Sequence, residues 1–380
     1  MIIGFRGSFR VDEIEDTNSS SYVFPKHKDF ELVDFNVKGG DLIGLDNNTD
    51  AYITTGVKGI YKDYKEQYDF IKQTRKPQLV VEGATFRRGL KLGTPSYQYR
   101  VSTGCYTWNK GYFANKGVGP DRWNKIQQEQ GIEIKPWRTK GDYILICLQN
   151  PSDTSLNDLY TDEYLNKLTR YTKGEGIQWN YINYLYKVIQ DISKVTHEDI
   201  VIRFHPRFLG KYGDITSAKG GFFNRFRQKG MKNKIIYSTN YDDWSETNGG
   251  SGFQKDLDGA RAVVSFSSNA LVESVCEGIP TIALSETSHA FPMSFQNVDI
   301  LKNKNITHKI AWDKCLSHQV WPAIEKGWKG SIHEIHFFWG LAGNNLREIK
   351  ECEEQGKEWW YVDVGYLTDE IVRYPEPKIL

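Results

Sequence analysis

Two short runs of this 380-residue chain carry side chains suited to holding a diphosphate. The first is Arg203-Phe204-His205-Pro206-Arg207, which closes the apolar run 200–204. An imidazole can donate to one phosphate oxygen and a guanidinium can fork onto two. Pro206 restricts the backbone where those side chains must project. The second is Ser267-Ser268-Asn269, inside RAVVSFSSNALVESVCEGIPTIAL (261–284), where an apolar run passes into a helical one. Small hydroxyl residues let a phosphate approach the main chain, and the open N–H groups and dipole of a helix start attract an anion. Glu273, one turn later, can accept both hydroxyls of a ribose. Taken singly, Ser267 or Ser268 is equally a helix N-cap, Glu273 a solvated helix residue and His205 a structural histidine. Taken together, they form a candidate diphosphate-nucleoside site, with Gln149, just beyond the apolar run 143–148, and Arg203 as further candidates.

A different chemistry is concentrated upstream. Between Thr85 and Lys125 eight basic residues face one acid, Asp121, and they alternate with Tyr97, Tyr99, Tyr106, Trp108, Tyr112, Phe113 and Trp123. Cations hold phosphates and rings stack on bases, which is what an enzyme needs to hold a base outside a duplex. Arg87, Arg88, Arg100, Tyr106, Trp108 and Lys110 are the candidate acceptor contacts. A packed aromatic lid with solvated cations fits the same composition.

These residues need elements to position them. Segments 1–5, 30–37, 51–55 and 79–81 have strand character, and 61–74 has helical spacing, which makes a βαβ pattern and a parallel sheet. Residues 87–123 lack periodicity and are expected to form a long functional loop. Residues 135–142 have linker chemistry. Beyond them strands are expected at 143–148, 200–204, 235–237, 262–266 and 281–284, with helices at 181–195 and 268–277. That alternation predicts a second doubly wound sheet, whose ligands bind at the carboxyl ends of its strands. The expected organisation is therefore an acceptor-side domain over 1–140, a donor domain over 141–345, and a segment 346–380 that packs back on the first domain.

Composition narrows the function classes. A formal net charge of +1 gives no global case for nucleic acid. The N-terminus has no signal-peptide core and no apolar stretch is long enough to span a bilayer, so a cytoplasmic protein without a membrane span is expected. The five cysteines lack CxxC spacing and are expected as reduced thiols, with Cys147 and Cys276 in the core. His333-Glu334-Ile335-His336 lacks the spacing of a zinc helix, and Asn248-Gly249-Gly250-Ser251-Gly252 lacks the lysine of a phosphate loop. The latter is expected to be a mobile loop lining the donor cleft. No metal and no cofactor beyond a nucleotide-sugar co-substrate is expected.

Over roughly 141–292 the chain resembles the donor domain of GT-B glycosyltransferases of the capsule and 3-deoxy-octulosonic acid transferase kind. The resemblance lies in the strand ending at His205-Pro206 and in the strand, hydroxyl turn, acidic helix and Gly-Ile-Pro turn of 265–280. It implies a GT-B fold, two Rossmann-like doubly wound domains facing a cleft. It further implies phosphate contact by His205, Arg207, Ser267 and Ser268, and nucleoside contact by Glu273. Ile279 stands where many members carry a lysine, which leaves the donor open. The N-terminal half is similar, more loosely, to phage glycosyltransferases associated with oxygenases that hydroxylate pyrimidines. That similarity rests on Tyr99–Ser102, Trp108-Asn109-Lys110, Asp121-Arg122-Trp123 and Lys135–Arg138. It implies an acceptor hydroxyl on 5-hydroxymethylpyrimidine in double-stranded DNA and, for a phage-encoded chain, action in the host cytoplasm; a UDP-glucose-like donor and a monomer are the accompanying expectations. An inverting transfer needs a base from the first domain: Glu82 is the first candidate, Asp50 the second and Asp12 the third. A saccharide of capsule or lipopolysaccharide is the alternative acceptor, and a non-catalytic sugar or nucleic-acid binding module the alternative class.

Overall fold

The computed structural model describes residues 2–6, 9–10, 22–23, 31–34, 36–38, 41–43, 49, 51–55, 78–83, 99–103, 128, 131–133, 135, 138–149, 155–156, 175–205, 231–241, 250–291, 294–304 and 306. The chain divides into two compact units, with one five-stranded sheet in each.

In the first unit the strands are β1 (Ile2–Arg6), β2 (Phe9–Arg10), β3 (Tyr22–Val23), β4 (Glu31–Asp34), β5 (Asn36–Lys38), β6 (Asp41–Ile43), β7 (Ala51–Thr55), β8 (Gln78–Gly83) and β9 (Tyr99–Thr103). The main sheet has the order β4-β1-β7-β8-β9. Its first three pairings are parallel, and β9 runs antiparallel to β8. Two expectations change here. The run 30–37 divides into two strands, because β5 turns back on β6 with Lys38 opposite Asp41. The intervening Gly39-Gly40 is the composition a two-residue hairpin favours. The stretch 87–123 is not wholly loop, since Tyr99–Thr103 pairs along β8. Its alternating, β-branched Tyr-Arg-Val-Ser-Thr sequence suits a pleated ladder. The helix expected at 61–74 and the segment 346–380 lie outside the described residues.

The second unit contains β10 (Tyr143–Cys147), α1 (Glu175–Val195), β11 (Asp199–Arg203), β12 (Ile235–Tyr237), α2 (Gly250–Asp258), β13 (Ala260–Ser265), α3 (Ala270–Cys276), β14 (Thr281–Ala283) and a 3-10 turn at Val298–Lys302. Its sheet has the order β12-β11-β10-β13-β14 and every pairing is parallel. Numbered within this unit, that order is 3-2-1-4-5, the doubly wound arrangement. The central strands are covered on both faces. Ile144, Leu145, Ile146, Ile200, Val263 and Val264 are therefore all buried without alternation. Each such side chain contributes roughly 1.5–3 kcal/mol of burial. α1 begins six residues earlier than expected and buries Leu185, Val188, Ile189 and Ile192, an i, i+3, i+4, i+7 stripe.

Glycine acts differently at two places. Gly278 follows α3 with φ of 70°, its N–H donates to Val275 O (3.0 Å), and Ile279 N–H donates to Ser274 O (3.0 Å). This is a Schellman stop, and it turns the chain into β14. Gly250 to Gly252, expected in a mobile loop, instead open α2. The burial of Phe253 and Leu257, four residues apart on one helix face, outweighs the poor helix propensity of glycine.

The described residues of 135–142, expected as a linker, are part of the second unit. Lys135 N–H donates to Cys276 O (2.8 Å), Arg138 N–H to Gly278 O (2.6 Å) and Asp142 N–H to Gly259 O (2.8 Å). The Arg138 guanidinium donates to the carbonyls of Leu257 (2.5 Å), Asp258 (3.0 Å) and Ala260 (3.1 Å). It meets the carbonyls that the end of α2 leaves without intrahelical donors. No helix among the described residues is long and apolar enough to cross a membrane.

Candidate functional site

The strand order of the second sheet reverses between β10 and β13. In open parallel sheets the crevice outside the carboxyl ends at such a reversal is where ligands bind. Here the two strand ends are locked together. Ser265 Oγ donates to Cys147 O (2.7 Å). Beyond the strands, Gln149 and Ser267 clasp each other: Gln149 Nε2 donates to Ser267 Oγ (2.9 Å), and Ser267 N–H donates to Gln149 Oε1 (2.9 Å). Gln149 Nε2 also donates to Ser155 Oγ (2.6 Å), and Thr287 Oγ1 donates to Ser155 O (3.2 Å). At 4% exposure, Gln149 has its amide engaged within the fold. The loops after β10, β13 and β14 thus meet in one hydroxyl-lined layer.

The turn into α3 is short. Ser268 Oγ accepts the Ala270 N–H (3.2 Å), so the residue takes a capping role and keeps its own hydroxyl proton for donation. Asn269 occupies the N-cap position, and its side chain makes no capping bond. Glu273 lies one turn on and is half-buried, while Leu271, Val272, Ser274, Val275 and Cys276 are buried. Glu273 is near enough to Cys147 to help raise its pKa. Burial is the larger cause, and the thiol is pushed up to about 12. A thiol so held is neutral at ordinary pH, the less nucleophilic form.

On the other side of β10, β11 ends at Arg203, which is 6% exposed. Its Nη1 donates to Asp256 Oδ2 (2.5 Å) and to Asn240 O (2.7 Å), and the guanidinium lies over the rings of Tyr241 (4.6 Å) and Phe253 (5.3 Å). Ser238 Oγ and Asn240 Nδ2 donate to the two oxygens of Asp256 (2.6 and 2.7 Å). Phe204 N–H donates to Tyr241 Oη (2.8 Å), and its ring stacks on Tyr237 at 6.0 Å. His205 follows, half-buried. Arg207 lies outside the described residues. Asp256, Tyr241, Ser155 and Thr287 were not anticipated. Asp256 is set in Gln254-Lys255-Asp256-Leu257-Asp258, which in sequence resembles any solvated helix face.

In the first sheet Glu82 falls inside β8 and stands opposite Arg100 of β9 in the ladder. The leading base candidate and one acceptor candidate are therefore neighbours in register. β7 opens at Ala51, so position 50 precedes its amino end, whereas Glu82 stands near the carboxyl end of β8. Asp50 itself, Asp12, Arg87, Arg88, Tyr106, Trp108 and Lys110 lie outside the described residues. Among the described residues no group of three or more His, Cys, Asp or Glu could hold a metal.

No protein-family model matches the chain, and no curated protein matches it. Among solved structures it is similar to a KpsC beta Kdo 2,4 transferase from Thermosulfurimonas dismutans, with 15% identity, 68% of this chain and 74% of that chain covered, and a TM-score of 0.37. It is similar also to a KpsC beta Kdo 2,7 transferase from the same organism, with 13% identity, 71% and 77% covered, and a TM-score of 0.38. A third is the UDP-GlcNAc 2-epimerase of Methanocaldococcus jannaschii in complex with UDP-GlcNAc and UDP, with 11% identity, 80% and 91% covered, and a TM-score of 0.29.

Proposed function

We propose that the chain is a GT-B glycosyltransferase that moves a sugar from a nucleotide donor to an acceptor hydroxyl. The observation that supports this reading is the strand-order reversal between β10 and β13, with the Gln149–Ser267 clasp across it, Glu273 on α3 after β13, and His205 just beyond the end of β11, the neighbour of β10. In this reading the diphosphate lies at the carboxyl edge, held by the Ser268 hydroxyl, His205 and Arg207, while Glu273 and Asn269 take the nucleoside. Arg203, Gln149 and Ser267 shape the pocket from behind. The acceptor oxygen attacks the anomeric carbon, the bond to the diphosphate oxygen breaks, and Glu82 takes the acceptor proton. His205 and Arg207 meet the charge that develops on the leaving phosphate. The interleaved cations and rings of 87–125 favour a nucleic-acid acceptor, and with the phage resemblance this reading takes 5-hydroxymethylpyrimidine in double-stranded DNA as acceptor and a UDP-glucose-like donor.

The test is incubation with UDP-glucose and hydroxymethylated DNA, followed by nucleoside mass analysis, with calorimetry of UDP binding alongside. A hexosylated nucleoside is the expected product. Sugar transferred to a capsule or lipopolysaccharide oligosaccharide, with DNA untouched, would replace the acceptor and keep the chemistry. Binding of UDP-glucose without transfer to either acceptor would leave a sugar-binding module. Absence of binding to any of a panel of nucleotide sugars would overturn the reading.

A further inference from the structure

The geometry points to Asp256 and Tyr241 as positioning residues that aim His205 into the carboxyl-edge crevice, with Arg203 as the intermediary. The inference rests on the donor site proposed above and changes the part Arg203 plays in it. The two residues before His205 are held by three independent kinds of contact. Arg203 is fixed by the Asp256 carboxylate (2.5 Å) and the Asn240 carbonyl (2.7 Å). The Phe204 main chain is fixed by Tyr241 Oη (2.8 Å), and its ring by stacking on Tyr237. Asp256 does not bind Arg203 alone. It gathers Ser238, Asn240 and Arg203, so that α2 and the residues following β12 are tied to the last residue of β11.

A buried ion pair of this kind contributes little net stability, because desolvation offsets its attraction; its best-attested use is to select one arrangement. Tyr241 touches both halves of the device, since its hydroxyl accepts from Phe204 while its ring lies under the Arg203 guanidinium. His205 follows Phe204 directly, so the point from which its backbone departs is fixed by these contacts. A ligand-binding side chain on a braced strand end loses less freedom on binding than one on a free loop.

The experiment compares wild type with Tyr241→Phe and Asp256→Asn. Tyr241→Phe keeps the ring under Arg203 and removes only the hydroxyl that holds Phe204. With histidine labelled at Cε1, the His205 resonance is assigned by its loss in His205→Gln and followed in each variant, together with UDP affinity and thermal melting. The expected result for Tyr241→Phe is a shifted or broadened His205 resonance, a roughly tenfold weaker UDP affinity and a nearly unchanged melting temperature. Asp256→Asn should shift the same resonance further. If Asp256→Asn does not fold, Tyr241→Phe decides alone. A His205 resonance and a UDP affinity both unchanged in folded Tyr241→Phe would overturn the inference. If wild type binds no nucleotide, the donor-site reading fails, and the His205 resonance in Tyr241→Phe still decides whether the bracing exists.

Discussion

Two buried arginines of the second sheet use the same chemistry at opposite ends. Arg203 closes β11 at the carboxyl edge, pairs with Asp256, and the chain continues directly into His205. Arg261 lies at the start of β13, at the amino edge, where it pairs with Glu198 and donates to the carbonyls of Leu301 (3.3 Å) and Asn303 (3.1 Å). The first pair is enclosed on both sides, with side-chain exposures of 7% and 2%, whereas Glu198 retains 27%. Among the described residues Arg261 Nε is buried with no hydrogen-bond partner, whereas its two terminal nitrogens are engaged. Burial of a charge therefore says little about function until the route of the chain beyond it is known. One brace precedes a candidate ligand residue, and the other joins structural segments.

The largest expected effect is on the carboxyl-edge pair. Arg203→Ala should destabilise the fold by about 3–5 kcal/mol in denaturant unfolding, because Asp256 is left as an uncompensated buried charge. It should also weaken UDP binding. Arg261→Ala should cost about 1.5–3 kcal/mol, since Glu198 can rehydrate, and should leave UDP affinity unchanged. Equal losses of UDP affinity in the two variants would erase the distinction between the edges.

Glycines sharpen the amino-edge side. A Cβ on Gly259 would stand 2.6 Å from the Tyr143 ring, whose hydroxyl is bound to Asp256 O (2.8 Å). One on Gly141 would run into the main chain at Arg261 and Ala260. Either alanine substitution should lower stability by roughly 1–3 kcal/mol through overpacking. Differential scanning calorimetry measures the loss, and nucleotide affinity should again be unaffected.

Alkaline titration probes both edges together. Burial, as the leading cause, pushes Tyr143, Tyr184 and Tyr241 from the ordinary 10.0 up to about 12, and Cys147 from 9.0 up to about 12. These raised values mean that the unfolded chain releases protons first as pH rises. Their contribution is thus complete below pH 9, falls between roughly 9 and 12, and is lost above. The melting temperature should be flat in this respect from pH 7 to 9 and then decline. Tyr241→Phe and Tyr143→Phe should each make the decline shallower, and a decline already steep at pH 8 would refute the assignment. The smallest effect is an absence: Cys147 should resist iodoacetamide at pH 8 until urea is added, as read by peptide mass analysis.

Much of the second unit was legible because its signals are local. Apolar runs too short for helices, each followed by polar turn chemistry, marked all five strands within about two residues. Glu-Gly-Ile-Pro announced the stop after α3, and the structure supplies the Schellman bonds. The candidate edge was legible for the same reason, since His205 and Ser267 each follow a buried run. What escaped was pairing at a distance. Arg203 and Asp256 are separated by 53 positions, and Gln149 and Ser267 by 118. No periodicity relates such residues. A charged helix residue such as Asp256 has the same local sequence whether it meets water or a guanidinium. In the first sheet the strand β9 was hidden inside a glycine- and aromatic-rich stretch, where pairing with β8 outweighs an irregular local pattern.

Local sequence is enough to mark the five strands of the second sheet and the stop after α3, since hydrophobic run length and glycine and proline placement act within a few residues; the start of α1, the helix α2 and the strand β9 were not marked by it. Tertiary packing sets the strand order, and with it which two strand ends lie side by side at the reversal. It also decided that Gln149 and Arg203 turn inward to neighbours, because a buried amide or guanidinium must find partners, and packing selects those partners from anywhere along the chain.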